Sequence, residues 1–380
     1  MVKQNIFERA KKEKSVFLDE RFLYPEFVPE ALLHREKEIE SLVYCFEPIV
    51  RGRKPFNVFL AGPTGVGKTV CAKFVLKQLE ESHGRAKSLY LNCFEYNSRS
   101  SVLAAIANFV GGAIPRRGLA VDEIFSNMLE SMRKCGFAPI VVLDEVDQLL
   151  VSESNSKLLY DLLRVVEYEK QRLGIVLISN DVSLTAKLDS RIKSSLAEQS
   201  ILFEPYTPQQ LKSILSERAA LAFVKGAVDQ EVIGLAAAHA AKLGGDARVA
   251  IESLLRAGRI AERANQNSVS VEGLRLAFGQ ADATSLAKGV SSLNSDELEL
   301  LMIVAKNPGI NSGKIYGLYS EKGSLKERRL RDVLGELEKK NFLSIEHKSM
   351  GNMGKTKEFF SRIPAQLIEA ELKASKSKTG

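Results

Sequence analysis

The pattern of apolar and polar positions along the chain changes twice. From about residue 58 to residue 204, short continuous apolar runs alternate with stretches of helical period. The runs are Val58–Ala61, Ser88–Cys93, Pro139–Leu143, Gly174–Ser179 and, around residues 200–204, a fifth. An uninterrupted apolar run between amphipathic helices predicts a strand buried on both faces, hence a parallel sheet of α/β class. Glu36–Phe46 reads as a helix with Ile39, Leu42, Val43 and Phe46 inward; Val70–Leu79 and Lys157–Gln171 read as further helices. Two helical stretches, about Val102–Val110 and Val121–Arg133, separate the second strand from the third, where one crossover would suffice. The surplus predicts an insertion over about 102–118, with a turn at Gly111–Gly118 that carries Arg116 and Arg117. That pair suits a tip that meets a partner and equally suits a plain surface loop.

The alternation stops at Tyr206-Thr207-Pro208. Residues 207–285 then read as an Ala-rich helical domain: Gln209–Ala222, Asp229–Leu243, Ala247–Asn265 and Val271–Gln280. After a connector at 286–294 the pattern changes again, to helices at Ser295–Ala305, Ser312–Tyr319 and Leu325–Lys340 and strands at Phe342–His347 and Glu358–Ile363. Three helices and a hairpin with a Gly-rich basic tip predict a winged helix over 295–372. On the third helix Leu330, Val333, Leu334 and Leu337 form one inward stripe, while Arg328, Arg331 and Lys339 project the other way and Arg329 lies on the flank. This is the layout of a helix that meets phosphates and base edges in a groove, although winged helices also serve as protein-docking modules. Residues 1–20 read as a helix or a loose arm that opens the first domain (1–206), and 373–380 as a disordered tail.

Composition narrows the class without naming a function. The chain has 380 residues, 45% of them hydrophobic and 27% charged, as in globular proteins of two or three domains. No apolar run approaches the roughly 20 residues that span a bilayer, and the first residues lack the apolar core of a secretion signal. Cys45, Cys71, Cys93 and Cys135 are too scattered for a metal site and predict reduced thiols in a cytoplasmic protein. The net charge is +7. Residues 286–380 carry 17 Lys and Arg against 12 Asp and Glu, which suggests a polyanion partner, although charge alone equally allows a merely solvated surface.

The chemistry concentrates at the ends of the predicted strands. Gly62-Pro63-Thr64-Gly65-Val66-Gly67-Lys68-Thr69 follows the first strand and opens a helix. This is the phosphate-binding loop in its required setting: glycines let successive N–H groups converge on one anion, and the helix N-terminus adds positive potential. Lys68 is expected on the β- and γ-phosphates, and Thr69 on Mg²⁺. Asp144-Glu145 ends the third strand, where doubly wound sheets place their ligands. Asp144 is expected to hold the Mg²⁺, and Glu145 to orient or activate the attacking water. Asn180, at the end of the fourth strand, can touch the γ-phosphate or that water. Asp246 is a plausible N-cap for the helix from Ala247, and Arg248 in its first turn can reach back to phosphates or remain a surface arginine. Apolar, Pro-fixed Pro25-Glu26-Phe27-Val28-Pro29 can line a base pocket or be an ordinary loop.

With these parts in order, the chain resembles the archaeal origin-recognition proteins, the initiator branch of the AAA+ ATPases. The resemblance runs nearly the whole length, from Pro25–Pro29 and His34-Arg35-Glu36 through the phosphate loop, Asp144-Glu145, Asn180, Asp189-Ser190-Arg191 and Gly245-Asp246-Ala247-Arg248 to the winged helix. It implies an AAA+ parallel sheet with a helical lid and a C-terminal winged helix. It also implies sensor roles for Asn180 and Arg248, an arginine-finger or partner-facing role for Arg191, and an adenine-side pocket at Phe27 and Val28. The family's insertion touches DNA beside the winged helix, so the implied DNA set is Arg116, Arg117, Arg328, Arg329, Arg331, Lys348, Lys355 and Lys357. The implied function is an ATP/ADP-switched initiator with slow turnover that binds double-stranded origin DNA and helps recruit or load the replicative helicase, with paralogous initiators as further partners. The rival readings are a clamp-loader-like ATPase, whose subunits usually show Ser-Arg-Cys where Ser190-Arg191-Ile192 stands here, and a winged-helix transcriptional or signalling switch.

Overall fold

A computed structural model describes residues 15–115, 118–151, 153–168, 172–184, 193, 199–290, 293–320, 326–340, 342–349, 355–365, 368, 369 and 372. The chain divides into two compact units, residues 1–274 and 275–380.

The first unit is built on five parallel strands: β1 (Val58–Ala61), β2 (Ala86–Asn92), β3 (Ala138–Asp144), β4 (Gly174–Ser179) and β5 (Ser200–Leu202), in the order β2-β3-β4-β1-β5. Every residue of β3 and β4 is buried, which explains why their apolar runs carry no polar alternation. Side chains still alternate between faces. Phe59, Val141, Leu143, Ile175 and Leu177 join one core with α3 (Arg99–Phe109), α4 (Val121–Lys134) and α5 (Glu153–Tyr168). Leu60, Ile140, Val142, Val176 and Ile178 join another with α1 (Glu36–Val50) and α2 (Lys68–Ser82). Three layers result, and the carboxyl ends of β1, β3 and β4 open on one edge.

The stretch expected as an insertion is mixed in character. Ser98 caps α3 in a reciprocal capping box with Ser101, and Val102, Leu103, Ile106 and Ala107 are fully buried in the main core. The helix is therefore a layer of the fold, and burial of each of its Val, Leu and Ile side chains stabilises it by about 1.5–3 kcal/mol. Arg116 and Arg117 lie outside the described residues. Cys45, Cys71 and Cys93 are free and buried, and burial pushes their thiols up, Cys45 to about 11 and the other two to about 12.

Four helices follow: α6 (Pro208–Ala222), α7 (Gln230–Lys242), α8 (Ala247–Arg263) and α9 (Val271–Val290). Thr207 caps α6 in a second capping box, with Gln210, and Pro208 stands at its first turn, so the change of pattern seen in the sequence is a helix start. The expected loose arm is different in its second half. Residues 15–24 strap across these helices: Leu18 and Asp19 N–H donate to the Ala222 carbonyl, Val224 N–H donates to Val16, and the Phe17 and Phe223 rings lie 4.7 Å apart. Apolar Val16 and Leu23, 2% and 1% exposed, supply the driving force that the polar neighbours conceal.

The second unit comprises the later part of α9, then α10 (Ser295–Lys306), α11 (Ser312–Ser320), α12 (Glu327–Lys339) and a three-stranded antiparallel sheet. Its strands are β6 (Ile310–Asn311), β7 (Leu343–Ser349) and β8 (Lys355–Ser361), ordered β6-β8-β7. This is a winged helix. The connector expected at 286–294 begins as helix, because α9 runs to Val290, and its last residue, Asn294, caps α10 in a box with Glu297.

Candidate functional site

The phosphate loop curls through left-handed backbone at Gly65 (φ 71°) and Gly67 (φ 92°), a conformation that side chains disfavour. Space excludes them as well: a Cβ on Gly65 would fall 1.6 Å from Asp246 Oδ1, and one on Gly67 would fall 2.7 Å from the Tyr206 hydroxyl. Gly62 is buried against Phe203, while Pro63 and Thr64 are exposed.

Lys68, 5% exposed, donates to the carbonyls of Gly62 (2.7 Å) and Pro63 (2.6 Å) and to Asn180 Oδ1 (2.9 Å). Burial pulls its pKa below the usual lysine value, and the carboxylates of Glu145 and Asp144 oppose that pull. A phosphate approaching the loop competes for these three N–H donors.

Asp144 is equally enclosed, 5% exposed. Its Oδ2 accepts from the Thr69 hydroxyl (2.7 Å) and the Tyr90 hydroxyl (2.5 Å), and its Oδ1 accepts from the Glu145 N–H (2.9 Å). Glu145 sits at φ 57°, an uncommon setting for a residue with a side chain and one that clusters at functional sites. Burial raises its pKa, with Asp144 and Asp147 adding to the effect and Lys68 and Arg248 opposing it. Asn180 joins the two halves of the site: its Oδ1 accepts from Lys68 and its Nδ2 donates to Glu145 Oε2. Asp147, one turn on, accepts from the Ser179 hydroxyl (2.9 Å).

The helical domain docks its Gly245–Arg248 turn on this loop. Ala247 N–H donates to the Gly65 carbonyl (3.1 Å), and Asp246 caps α8 by accepting from Arg248 N–H (2.8 Å). The Arg248 side chain, 57% exposed, stays 3.6 Å from Asp246, close enough for its charge to act on Lys68 and Glu145. Phe27 is engaged by Arg218 of the same domain, whose guanidinium lies 4.4 Å from its ring centroid, and by Phe22 of the strap, whose ring stands edge-on at 4.9 Å. Val28 beside it is half-buried. Arg191 lies outside the described residues.

Two hard oxygen donors, Thr69 and Asp144, stand 2.7 Å apart. No cluster of three His, Cys, Asp or Glu side chains able to hold a metal occurs among the described residues. This donor set fits an ion that takes most of its ligands from phosphates and water, as Mg²⁺ does.

Sequence reasoning missed three side chains. Tyr90 hides inside a strand that reads as apolar. Arg35 carries no task in the sequence beyond its place in His34-Arg35-Glu36. Tyr206 reads as a boundary marker. A polar residue within an apolar run, or just before a helix, was the available signal in each case.

On the winged helix, Leu330, Val333, Leu334 and Leu337 are buried and Arg328, Arg329 and Arg331 exposed, the division their spacing predicts. Arg331 pairs with Glu327 one turn back (2.5 Å). Lys357 is exposed on β8. Lys348 and Lys355 flank the hairpin end by register; their side chains, and that of Lys339, lie outside the described residues, as does the tip at 350–354.

Comparison with known proteins agrees along the whole length. Residues 53–188 match the AAA domain family and residues 212–279 the Cdc6 AAA+ ATPase-type lid domain. The chain is 32% identical over 381 residues to the ORC1-type DNA replication protein 1 of Sulfolobus acidocaldarius, covering 97% of this chain and 96% of that relative. It is 34% identical over 369 residues to its counterpart in Archaeoglobus fulgidus, covering 93% and 90%. Among solved structures, the Aeropyrum pernix ORC1 protein in complex with DNA superposes with a TM-score of 0.76 at 33% identity, over 95% of this chain and 97% of that one.

Proposed function

The chain belongs to the ORC1-type DNA replication proteins, and from that premise we propose that it is a replication initiator in which ATP and ADP set a switch on DNA binding. The observation that carries the switch is the docking of the Gly245–Arg248 turn on the phosphate loop, which brings Arg248 to the edge of the site that Lys68 occupies. A triphosphate held by Lys68 on one side and Arg248 on the other bridges the sheet domain and the lid, so loss of the γ-phosphate breaks the bridge. Gly62–Thr69 hold the phosphates, and Phe27 and Val28 stand on the base side.

Thr69 and Asp144 are the residues that would hold Mg²⁺, which when bound neutralises phosphate charge. Glu145 takes a proton from the attacking water. Its raised pKa favours that task, because a base works best with a pKa near the ambient pH. Asn180 keeps Glu145 oriented, and Arg191 acts toward a neighbouring initiator.

DNA is met by Arg328, Arg329 and Arg331 on α12, by Lys348, Lys355 and Lys357 on the wing, and by Arg116 and Arg117. Helicase recruitment and assembly with paralogous initiators extend the same reading, and so does a place of work at the nucleoid. Among the described residues no helix is long and apolar enough to cross a membrane.

ATP turnover by the full chain, measured with and without duplex DNA, tests the switch against a motor. Slow hydrolysis that DNA leaves slow is expected. Rapid cycling stimulated by DNA would place the output in hydrolysis itself and sink the switch.

A further inference from the structure

Arg35 has no part in the chemistry above, yet it is buried, 5% exposed, and all of its guanidinium nitrogens are engaged. Nε donates to the Val66 carbonyl (3.0 Å) and the Tyr206 hydroxyl (3.1 Å), one terminal nitrogen donates to the Glu204 carbonyl (2.7 Å), and the other pairs with Glu38 (2.8 Å). The group also lies over the Tyr206 ring, 4.0 Å from its centroid. Burying a cation is costly unless it is paired and hydrogen-bonded, and here the bonds are spread over three segments far apart in sequence.

Two of these contacts reach the switch. In a planar trans peptide the carbonyl and the following N–H point in opposite directions. By holding the Val66 oxygen, Arg35 therefore fixes the direction of the Gly67 N–H, one of the donors of the phosphate loop. Tyr206 lies between β5 and α6, on the connection to the lid. Its hydroxyl stands against Gly67, and its backbone N–H donates to the Gly245 carbonyl (3.4 Å) beside Asp246. One guanidinium thus joins the phosphate loop, the exit of the sheet and the lid hinge.

We propose that Arg35 is a positioning residue that couples the phosphate loop to the lid through Tyr206, so that discrimination between triphosphate and diphosphate depends on it. The proposal rests on the reading of the phosphate loop and the lid as a nucleotide switch. A planar fork reaches acceptors spread along its edges, whereas a lysine ammonium gathers its acceptors around one point.

Calorimetric titration of the nucleotide-stripped full chain with ADP and with adenylyl imidodiphosphate, both with Mg²⁺, tests it on wild type, Tyr206→Phe, Arg35→Lys and Arg248→Ala. Tyr206→Phe keeps the ring under the cation and removes only the hydroxyl. It should lower the preference for the triphosphate analogue by about five-fold or more with ADP affinity and melting temperature unchanged, and Arg35→Lys should lower that preference too. A purely structural role would weaken both nucleotides alike or neither. The proposal is overturned if Tyr206→Phe leaves the preference intact while Arg248→Ala abolishes it. If Arg248→Ala leaves it intact while Tyr206→Phe lowers it, the coupling stands and the reading of Arg248 falls. A wild-type chain that binds both nucleotides equally contradicts both.

Discussion

At the scale of single residues, the site is an arrangement of opposed charges held by one amide. Asn180 accepts from Lys68 and donates to Glu145, so it keeps the acid turned and the ammonium in place. The acid is held at a cost: burial, Asp144 and Asp147 all favour its protonated form. A carboxyl whose folded pKa lies above its unfolded one destabilises the fold at neutral pH, and the penalty disappears as pH falls below the unfolded value. Glu145→Gln should therefore abolish hydrolysis and raise the melting temperature of the nucleotide-stripped protein by about 2–4 °C at pH 7. Scanning calorimetry from pH 7 down to pH 4 should show that gain shrinking. A melting temperature unchanged at pH 7 would contradict the assignment of strain to this acid.

At the scale of elements, sequence and structure agree where local chemistry decides and part where distant contacts do. The phosphate loop was legible because strand, glycines, Lys68 and Thr69 are contiguous, and Asp144-Glu145 because a fully apolar run ends there. The strap at 15–24 was not, since its anchors Phe223 and Arg259 lie more than two hundred residues on. Nor was Tyr90, whose partner Asp144 belongs to the neighbouring strand.

The winged helix shows the same division. Its α12 stripe follows from helical period, but the buried Glu297 is explained only by Lys340 (2.8 Å) and the Asn294 N–H (2.9 Å). Burial alone would raise the Glu297 pKa, yet these two partners hold it below the ordinary value. Its stabilisation is thus present above the unfolded pKa and lost as pH falls through the folded one. Glu297→Gln should destabilise the winged helix by about 1–3 kcal/mol at pH 7, with the difference from wild type closing in acid, as urea titrations at several pH values would register. On α12, Arg329→Ala should weaken DNA binding and reduce the slope of log affinity against log salt by about 1, because one phosphate contact no longer releases its counterion. An unchanged slope would remove Arg329 from the contact set.

At the scale of the whole molecule, the chain joins a nucleotide-reading unit to a DNA-reading one. Membership of the ORC1-type proteins makes it a replication initiator of the AAA+ class, and the basic winged helix supplies the address. The central claim is that this address is an origin. The most direct measurement maps, in the same cells, the genomic sites crosslinked to the full chain and the positions where replication starts. The account predicts that bound sites coincide with a start and that Arg329→Ala depletes them. Binding confined to promoters, away from any start, would contradict it.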